Sequence, residues 1–236
     1  MDPTAIQYNQ FATFNPLFRQ MNRSIIDTLQ KYSDQSGKTQ LTIVEYGAGP
    51  GVFTNILCKK FPKANIVAIE QNTENIESLQ QFSRKNLSII QRNMVFYEHS
   101  TPIDCAILRL SYHHIPDPQK RLLLRRIRKQ LRHSGMVIIV DECLREYKNS
   151  KERLRREQEY HSYRIELAQN TNDVDYIQYQ KDVYIQTLCP YKASPRVIIQ
   201  QLRDSGFHKI HSLLLKTQKK SINDALLGHY CITARK

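Results

Sequence analysis

Short apolar runs rich in β-branched residues alternate along the chain with longer segments whose apolar residues recur at helical spacing. The runs predict strands at 41–44, 64–69, 87–90, 104–110, 136–140, 208–215 and 229–234. Helices are predicted at 54–60, 75–85, 120–132, 152–169 and 196–204. Strands that alternate with helices indicate a domain of the α/β type.

The end of the first predicted strand carries an acid and a glycine-rich loop. The strand ends on Glu45, and Gly47, Gly49 and Gly51 follow at alternate positions before the helix at 54–60. Glycine lets the backbone turn sharply and lets a ligand approach the main chain. Because a strand–loop–helix turn collects ligands at the carboxyl end of the strand, the loop predicts a nucleotide-like cofactor.

The glycine spacing bears on which cofactor is bound. A dinucleotide fingerprint, G-x-G-x-x-G, needs its third glycine where this chain has Val52. The run E-Y-G-A-G-P-G at 45–51 instead resembles the first motif of class I S-adenosylmethionine-dependent methyltransferases. In that family the loop wraps the methionine end of the cofactor and the acid helps to place its ammonium group. Since this cofactor has a positive sulfonium and no phosphate, an acidic strand end suits it better than a dinucleotide. A tight glycine turn without a ligand remains an alternative, and so does an oxidoreductase.

The resemblance implies further cofactor contacts at the ends of the following strands. Glu70 is placed to accept hydrogen bonds from both ribose hydroxyls, with Gln71 beside the adenosine. Asn93 stands where the family usually has an aspartate near the adenine amino group, and its amide oxygen can accept the same hydrogen bond. Met94 is its apolar neighbour. The other predicted contacts are Gly47, Ala48, Gly49, Gly51, Leu110 and Ser111.

The run H-H-I-P-D-P at 113–118 resembles the motif that follows the fourth strand in small-molecule methyltransferases. The resemblance puts Tyr112, His113 and His114 where the substrate meets the methyl group. Histidine can act as a general base near neutral pH. Methyl transfer often needs only alignment of the reacting atoms, so no base is obligatory. A histidine before a proline turn can also serve only to satisfy local backbone groups.

The resemblance implies a Rossmann-like three-layer sandwich with a seven-stranded, mostly parallel sheet and an antiparallel last strand. The 236 residues fit one such domain, with a helical lid at 1–40 and a helical cap inserted at 145–192. The sequence lacks a signal segment and an apolar run of membrane-spanning length, so a cytoplasmic protein is expected. Five scattered cysteines argue against a disulfide framework and against a zinc site, so no metal is expected.

The formal charge of +13 bears on the kind of partner that the protein binds. Such a charge predicts attraction to an anion, which includes an acidic carrier, nucleic acid or an anionic small acceptor. Nucleic acid is not favoured, because the basic block at 120–156 lacks interleaved aromatic residues and no recognition module is visible. The leading hypothesis is methyl transfer to an O, N or C nucleophile of a small-molecule or carrier-bound acceptor. The alternatives are an RNA or protein methyltransferase that docks through its basic surface, and a non-catalytic, cofactor-binding regulatory subunit.

Overall fold

The computed structural model describes residues 16–169, 191–215 and 227–236. Part of the predicted lid, residues 1–15, and part of the predicted cap, residues 170–190, lie outside these ranges. The strands are β1 Thr42–Tyr46, β2 Asn65–Glu70, β3 Leu87–Gln91, β4 Ile103–Arg109, β5 Leu131–Leu144, β6 His208–Leu215 and β7 Leu227–Arg235. The helices are α1 Pro16–Ser36, α2 Val52–Lys60, α3 Thr73–Gln80, α4 Asp117–Gln130, α5 Ser150–Gln169 and α6 Pro195–Asp204.

The strands form one sheet in the order β3-β2-β1-β4-β5-β7-β6. The pairs between β3 and β5 are parallel, and β7 runs antiparallel to both of its neighbours. This topology confirms the predicted sheet with its antiparallel last strand. The strand order reverses between β1 and β4, and ligands of open α/β sheets bind beside the carboxyl ends of the strands at such a point.

Alternate residues of the buried strands pack against helices on opposite faces of the sheet, which makes the three layers. Ile43 belongs to the core with α1 and α2, through residues such as Ile25 and Leu57. The next residue, Val44, belongs to the core with α4 and α6. The alternation follows from the two-residue period of a strand and explains why these strands are apolar throughout.

Several elements differ in length from their sequence-based predictions, and β5 and α3 show two of the reasons. β5 spans 131–144 rather than 136–140. Its start is extended because Leu131 pairs with Ile103 of β4, and its end because it pairs with β7 as far as Leu144, through residues that are not all apolar. α3 spans 73–80 rather than 75–85. It begins early because the Asn72 side chain accepts a hydrogen bond from the Asn75 N–H at 2.9 Å. It ends early because Phe82 leaves the helix to pack beside Leu79.

The described ranges contain no helix that is both long and apolar enough to cross a bilayer. Within the same residues, no three His, Cys, Asp or Glu side chains are grouped as a metal site requires. Four of the five cysteines are described, and all four are buried thiols: Cys58, Cys105, Cys143 and Cys231.

Candidate active site

The glycine loop between β1 and α2 has three glycines with positive φ, and they serve two purposes. A Cβ at Gly47 would lie 2.7 Å from the Cβ of Ser111, and one at Gly51 would lie 2.1 Å from the Leu79 Cδ1. These two glycines are therefore required by the packing of the loop against its neighbours. A Cβ at Gly49 would meet no atom within 4 Å. Gly49 thus presents bare main chain to open space, as a bound ligand requires.

The Glu70 carboxylate at the tip of β2 holds this loop in place. Its Oε2 accepts a hydrogen bond from the Gly49 N–H at 2.8 Å, and its Oε1 accepts from the Gln71 and Asn72 N–H groups at 2.8 and 2.9 Å. The N–H groups of Gly47 and Ala48 both donate to the Ile69 carbonyl, each at 2.9 Å. A carboxylate has about four acceptor positions. One therefore remains on Oε2, beside the loop.

The residues expected near the adenine lie next to this loop. The Asn93 Nδ2 donates to the Gln71 Oε1 at 3.0 Å, and the Asn93 Oδ1 accepts from the Val95 N–H at 2.9 Å. The latter bond begins the short 3₁₀ turn Met94–Phe96. The Met94 Cε lies 3.6 Å from the position of a Cβ on Gly47. The fold thus brings Gln71, Asn93 and Met94 to one side of the loop.

The Glu45 carboxylate is buried at the tip of β1, with 2 % of its surface exposed. Its Oε2 accepts a hydrogen bond from the Thr54 hydroxyl at 2.6 Å. Burial raises the pKa of Glu45 to about 7, although Thr54 and the nearby Arg109 act to lower it. A carboxylate withdrawn from water gains strongly from an added cation, so Glu45 fits the ammonium group of the cofactor's methionine end.

Arg109 at the end of β4 attaches α1 to the strand tips. Its Nε donates to the Asn22 Oδ1 at 2.9 Å, and its guanidinium lies 5.0 Å from the centre of the Phe18 ring. The next residue, Leu110, has φ of 52°, a left-handed conformation that costs about 1 kcal/mol for a non-glycine residue. Strained backbone of this kind clusters at ligand sites, where the surrounding structure holds it.

Ser111 and Tyr112 use their hydroxyls within the fold. The Ser111 Oγ donates to the Tyr46 carbonyl at 2.7 Å. Tyr112 is 1 % exposed and lies in the core beneath α4 and α6, where its hydroxyl donates to the Gln201 Oε1 at 2.7 Å. The Lys120 Nζ lies 5.2 Å from the centre of the Tyr112 ring. The sequence motif is therefore divided, with Tyr112 in the core and the two histidines at the strand tips.

His113 forms a pair with Asp141, which follows Val140 of β5. The His113 Nδ1 lies 2.5 Å from the Asp141 Oδ1, and the His113 main-chain N–H donates to the Asp141 Oδ2 at 2.8 Å. The Oδ1 also accepts from the Glu142 N–H at 2.8 Å. An ionised carboxylate only accepts hydrogen bonds, so Nδ1 carries the imidazole proton and Nε2 is the nitrogen that can take another.

The His114 ring lies against the His113 ring, with 4.0 Å between their centroids. Surrounding protein atoms, followed by the neighbouring His113, lower the pKa of His114 to about 4. The residue is nonetheless partly exposed, unlike the buried His113 beside it. His114 is therefore uncharged at neutral pH, where it can exchange hydrogen bonds but not carry positive charge.

A second charged cluster, which sequence reasoning missed, joins α5 to the strand tips. Glu157 on α5 is fully buried, and its Oε1 lies 3.5 Å from the Nζ of the buried Lys192. That Nζ also lies 4.0 Å from the Glu142 Oε2 and 5.4 Å from the centre of the Tyr160 ring. The His229 Nε2 lies 3.4 Å from the Glu142 Oε1. We call Glu157, Lys192, Glu142 and His229 the cap cluster. No motif in the sequence marks these residues, because they come from four separate segments.

The sheet order, the glycine loop and the acids at the tips of β1 and β2 together define a class I S-adenosylmethionine-dependent methyltransferase. Residues 17–212 match the family model described as a methyltransferase domain. The chain belongs to this family, and S-adenosylmethionine is its cofactor.

Similar proteins agree with this assignment. The trans-aconitate 2-methyltransferase of Azoarcus sp. (strain BH72) is 27% identical over 116 residues, which are 49% of this chain and 44% of that protein. The matched segment therefore spans less than half the length of this curated relative. The plantazolicin methyltransferase BpumL, solved with S-adenosylhomocysteine, covers 100% of this chain and 91% of its own, with 15% identity and a TM-score of 0.66. The N-methyltransferase NodS from Bradyrhizobium japonicum WM9, also with S-adenosylhomocysteine, covers 95% and 88%, with 15% identity and a TM-score of 0.57. At these identities the two structures support the fold.

Proposed function

We propose that this protein transfers the methyl group of S-adenosylmethionine to an O, N or C nucleophile of a small-molecule or carrier-bound acceptor. The acceptor would lie between the tips of β4 and β5 and the helix α5, with residues 1–40 as a lid and 145–192 as a cap. The observation that carries the proposal is the His113–Asp141 pair, with its 2.5 Å contact, at the tips of β4 and β5 beside β1 and its open glycine loop. In this arrangement His113 would be a base candidate beside the predicted cofactor site.

The cofactor would be held by the two carboxylates and the loop between them. Glu45 would bind the ammonium group, Gly49 would let the main chain approach, and the remaining acceptor position on Glu70 would receive a ribose hydroxyl. Gln71, Asn93 and Met94 would border the adenine. When bound, S-adenosylmethionine supplies an electrophilic methyl group on a sulfonium sulfur, which leaves as a neutral thioether.

His113, paired with Asp141, would accept the proton that the acceptor's nucleophile loses. Asp141 fixes the orientation of His113 through the ring and through the main-chain N–H, so Nε2 would receive the proton. The imidazolium that forms would be stabilised by the adjacent carboxylate. We propose a positioning role for Tyr112, because its hydroxyl is already bonded inside the core.

The test separates cofactor binding from turnover. S-adenosylhomocysteine should bind the purified protein and raise its Tm, whereas NAD should not. A screen of acceptors for S-adenosylhomocysteine production would then supply a substrate. With that substrate, Asp141→Asn should lower kcat and leave the affinity for S-adenosylhomocysteine unchanged. Normal affinity with no acceptor in a broad screen would instead support a non-catalytic regulatory subunit.

A basic groove at the opposite edge of the sheet supports a second candidate, an RNA acceptor. The groove has a volume of about 930 Å³, and half of the sixteen residues that line it are basic while none is acidic. The basic residues are Lys31, Lys38, His133, His208, Lys209, His211, Arg235 and Lys236. A polyanion bound there would release counterions from its phosphates, so its affinity would fall steeply with salt.

This candidate is tested by reversing charge inside and outside the groove. Lys31→Glu with Lys209→Glu should weaken binding of a single-stranded RNA and flatten its salt dependence if the groove is used. The matched control is Arg125→Glu with Lys129→Glu, two reversals on the exposed face of α4. Equal losses from both changes would indicate a diffuse effect of net charge, and the RNA candidate would then be abandoned.

A further inference from the structure

The basic groove collects positive charge from separate parts of the fold. Lys31 comes from α1, Lys209 from β6 and Arg235 from β7, and all three line the groove. The Lys38 Nζ lies 2.6 Å from the buried Asp104 Oδ1, so this one lysine has an acidic partner. Within the described residues, neither Lys31 nor Lys209 has such a partner. Like charges brought together in this way repel one another, and a bound anion would relieve the repulsion.

The backbone at Lys209 is strained where it meets the groove. Its φ is 47°, and Leu110 beside the cofactor loop is the only other non-glycine residue of the described ranges with positive φ. Between His208 and His211, two residues of β6 lie opposite one residue of β7, so the strand has a β-bulge there. The left-handed conformation costs a lysine about 1 kcal/mol and costs a glycine little. Bulges redirect side chains and strained backbone clusters at binding sites, so the strain points to a use for this ammonium.

The groove lies far from the proposed site of methyl transfer. His133 near the start of β5 and His208 at the start of β6 both line it, whereas the predicted cofactor and base residues lie where the parallel strands end. β4 connects the two ends of the sheet with seven residues and is therefore about 20 Å long. A small ligand in the groove is thus too distant to meet the transferred methyl group, and the groove would be a second site.

The lining of the groove indicates which ligand it suits. Tyr32 is the only phenylalanine, tyrosine or tryptophan among the described lining residues. It is 2 % exposed, and the Arg235 guanidinium lies 5.0 Å from the centre of its ring, so the ring offers no open face to a nucleobase. The apolar lining residues Met136 and Ala234 are also buried and offer little surface to a lipid chain. Basic and hydroxyl groups remain, in a volume of about 930 Å³, which is the size of a small-molecule site.

From this arrangement we propose that the groove binds a small anion with two or more phosphate groups, and that Lys31 and Lys209 hold it. A lysine ammonium has three donors for phosphate oxygens and no acceptor. Several phosphates match bases that come from several elements, whereas a single phosphate would leave most of them unused. The proposal is independent of the proposed methyl transfer. It differs from the RNA candidate because the groove would recognise phosphates without bases.

The experiment titrates the full chain with inorganic tripolyphosphate and with orthophosphate at constant ionic strength, followed by calorimetry. We expect tripolyphosphate to bind at one site, at least about tenfold more tightly than orthophosphate, and to raise the Tm. Lys31→Gln and Lys209→Gln should each weaken its binding about tenfold, whereas Lys209→Arg should keep most of the affinity. Lys85→Gln is the matched control, because it removes an exposed lysine beside β3, at the other edge of the sheet, and should change nothing.

Lys209→Gly separates binding from folding. Glycine adopts this φ without strain, so the variant should have a raised Tm without ligand and still bind tripolyphosphate about tenfold more weakly. Wild-type affinity in this variant would overturn the proposal, and so would equal losses in Lys209→Gln and Lys85→Gln.

Two further ligands distinguish the sources of phosphate. Binding of a single-stranded RNA without binding of tripolyphosphate would overturn the proposal in favour of the RNA candidate. Binding only to vesicles that contain phosphatidylserine would overturn it in favour of a membrane surface. A failure of S-adenosylhomocysteine to bind would refute the proposed function and leave this proposal standing, so the two failures are distinguishable.

Discussion

Cofactor binding should depend on pH through Glu45. Burial raises the pKa of this carboxyl from 4.5 to about 7, which corresponds to about 3 kcal/mol against the ionised form. If the cofactor's ammonium binds only the ionised form, about nine-tenths of the protein is ready to bind at pH 8 and about one-tenth at pH 6. The affinity for S-adenosylhomocysteine should then fall about tenfold between these values, and binding at pH 6 should release close to one proton.

Glu45→Gln should remove this pH dependence and fix the affinity at a weak value. The same substitution weakens binding but should increase the folding stability of the ligand-free protein at high pH. Because the folded pKa is raised, the contribution of Glu45 is most favourable below pH 4.5 and is lost as the pH rises through about 7. Glu45→Gln should therefore stabilise the ligand-free protein at pH 8.

Calorimetry in two buffers of different ionisation enthalpy measures the affinity and the released proton together. Glu77→Gln, an exposed carboxyl on α3, is the matched control and should change neither. Wild-type affinity that is flat from pH 6 to 8 would refute the reasoning. So would a Glu45→Gln variant whose affinity equals that of the wild type at pH 8.

Three further predictions concern the glycine loop, the Glu70 carboxylate that holds it, and the His113–Asp141 pair. Glu70→Ala should weaken S-adenosylhomocysteine binding and also lower the Tm, because its carboxylate accepts three main-chain N–H bonds; calorimetry and thermal unfolding measure the two effects. Gly47→Ala should lower the Tm more than Gly49→Ala, because both positions have positive φ but a Cβ would clash only at the first. Gly49→Ala should chiefly weaken binding, because its Cβ would enter open space. His113→Ala should lower kcat by about 10²-fold or more without weakening S-adenosylhomocysteine binding, whereas equal losses in both would indicate a structural role.

The central strands could be predicted from the sequence because they are buried on both faces. Each then contains a short apolar run, such as 105–108, and the helices between them favour a parallel arrangement. The ends of β5 could not be predicted in this way. Arg132, His133 and Ser134 at its start are exposed, and its far end is fixed by pairing with β7, a partner distant in sequence, where Leu144 lies opposite Leu227.

The residues of the candidate site also differ in how far the sequence could predict them. The cofactor residues lie within one loop or directly after a strand, so short motifs mark Glu45, Gly49 and Glu70. These assignments remain predictions, with a geometry that suits them. Asp141 has a weaker signal, because it directly follows the part of β5 that pairs with β4 and therefore lies beside the histidine motif. Glu157 has no such signal, since only the folding of α5 over the sheet brings it to the strand tips.

The basic groove and the acidic strand tips lie at opposite ends of the parallel strands, so they contribute an electric dipole along the strands. Lys38, His133 and His208 lie where parallel strands begin, and Glu45, Glu70 and Asp141 lie where they end. A molecule polarised along its strands turns as it drifts toward a negatively charged surface, because the field acts on the two ends with opposite sign. It would reach that surface with the basic groove facing the surface and the strand-tip carboxylates facing away. The end proposed for catalysis would then stay open to the surrounding solution while the rest is held in place.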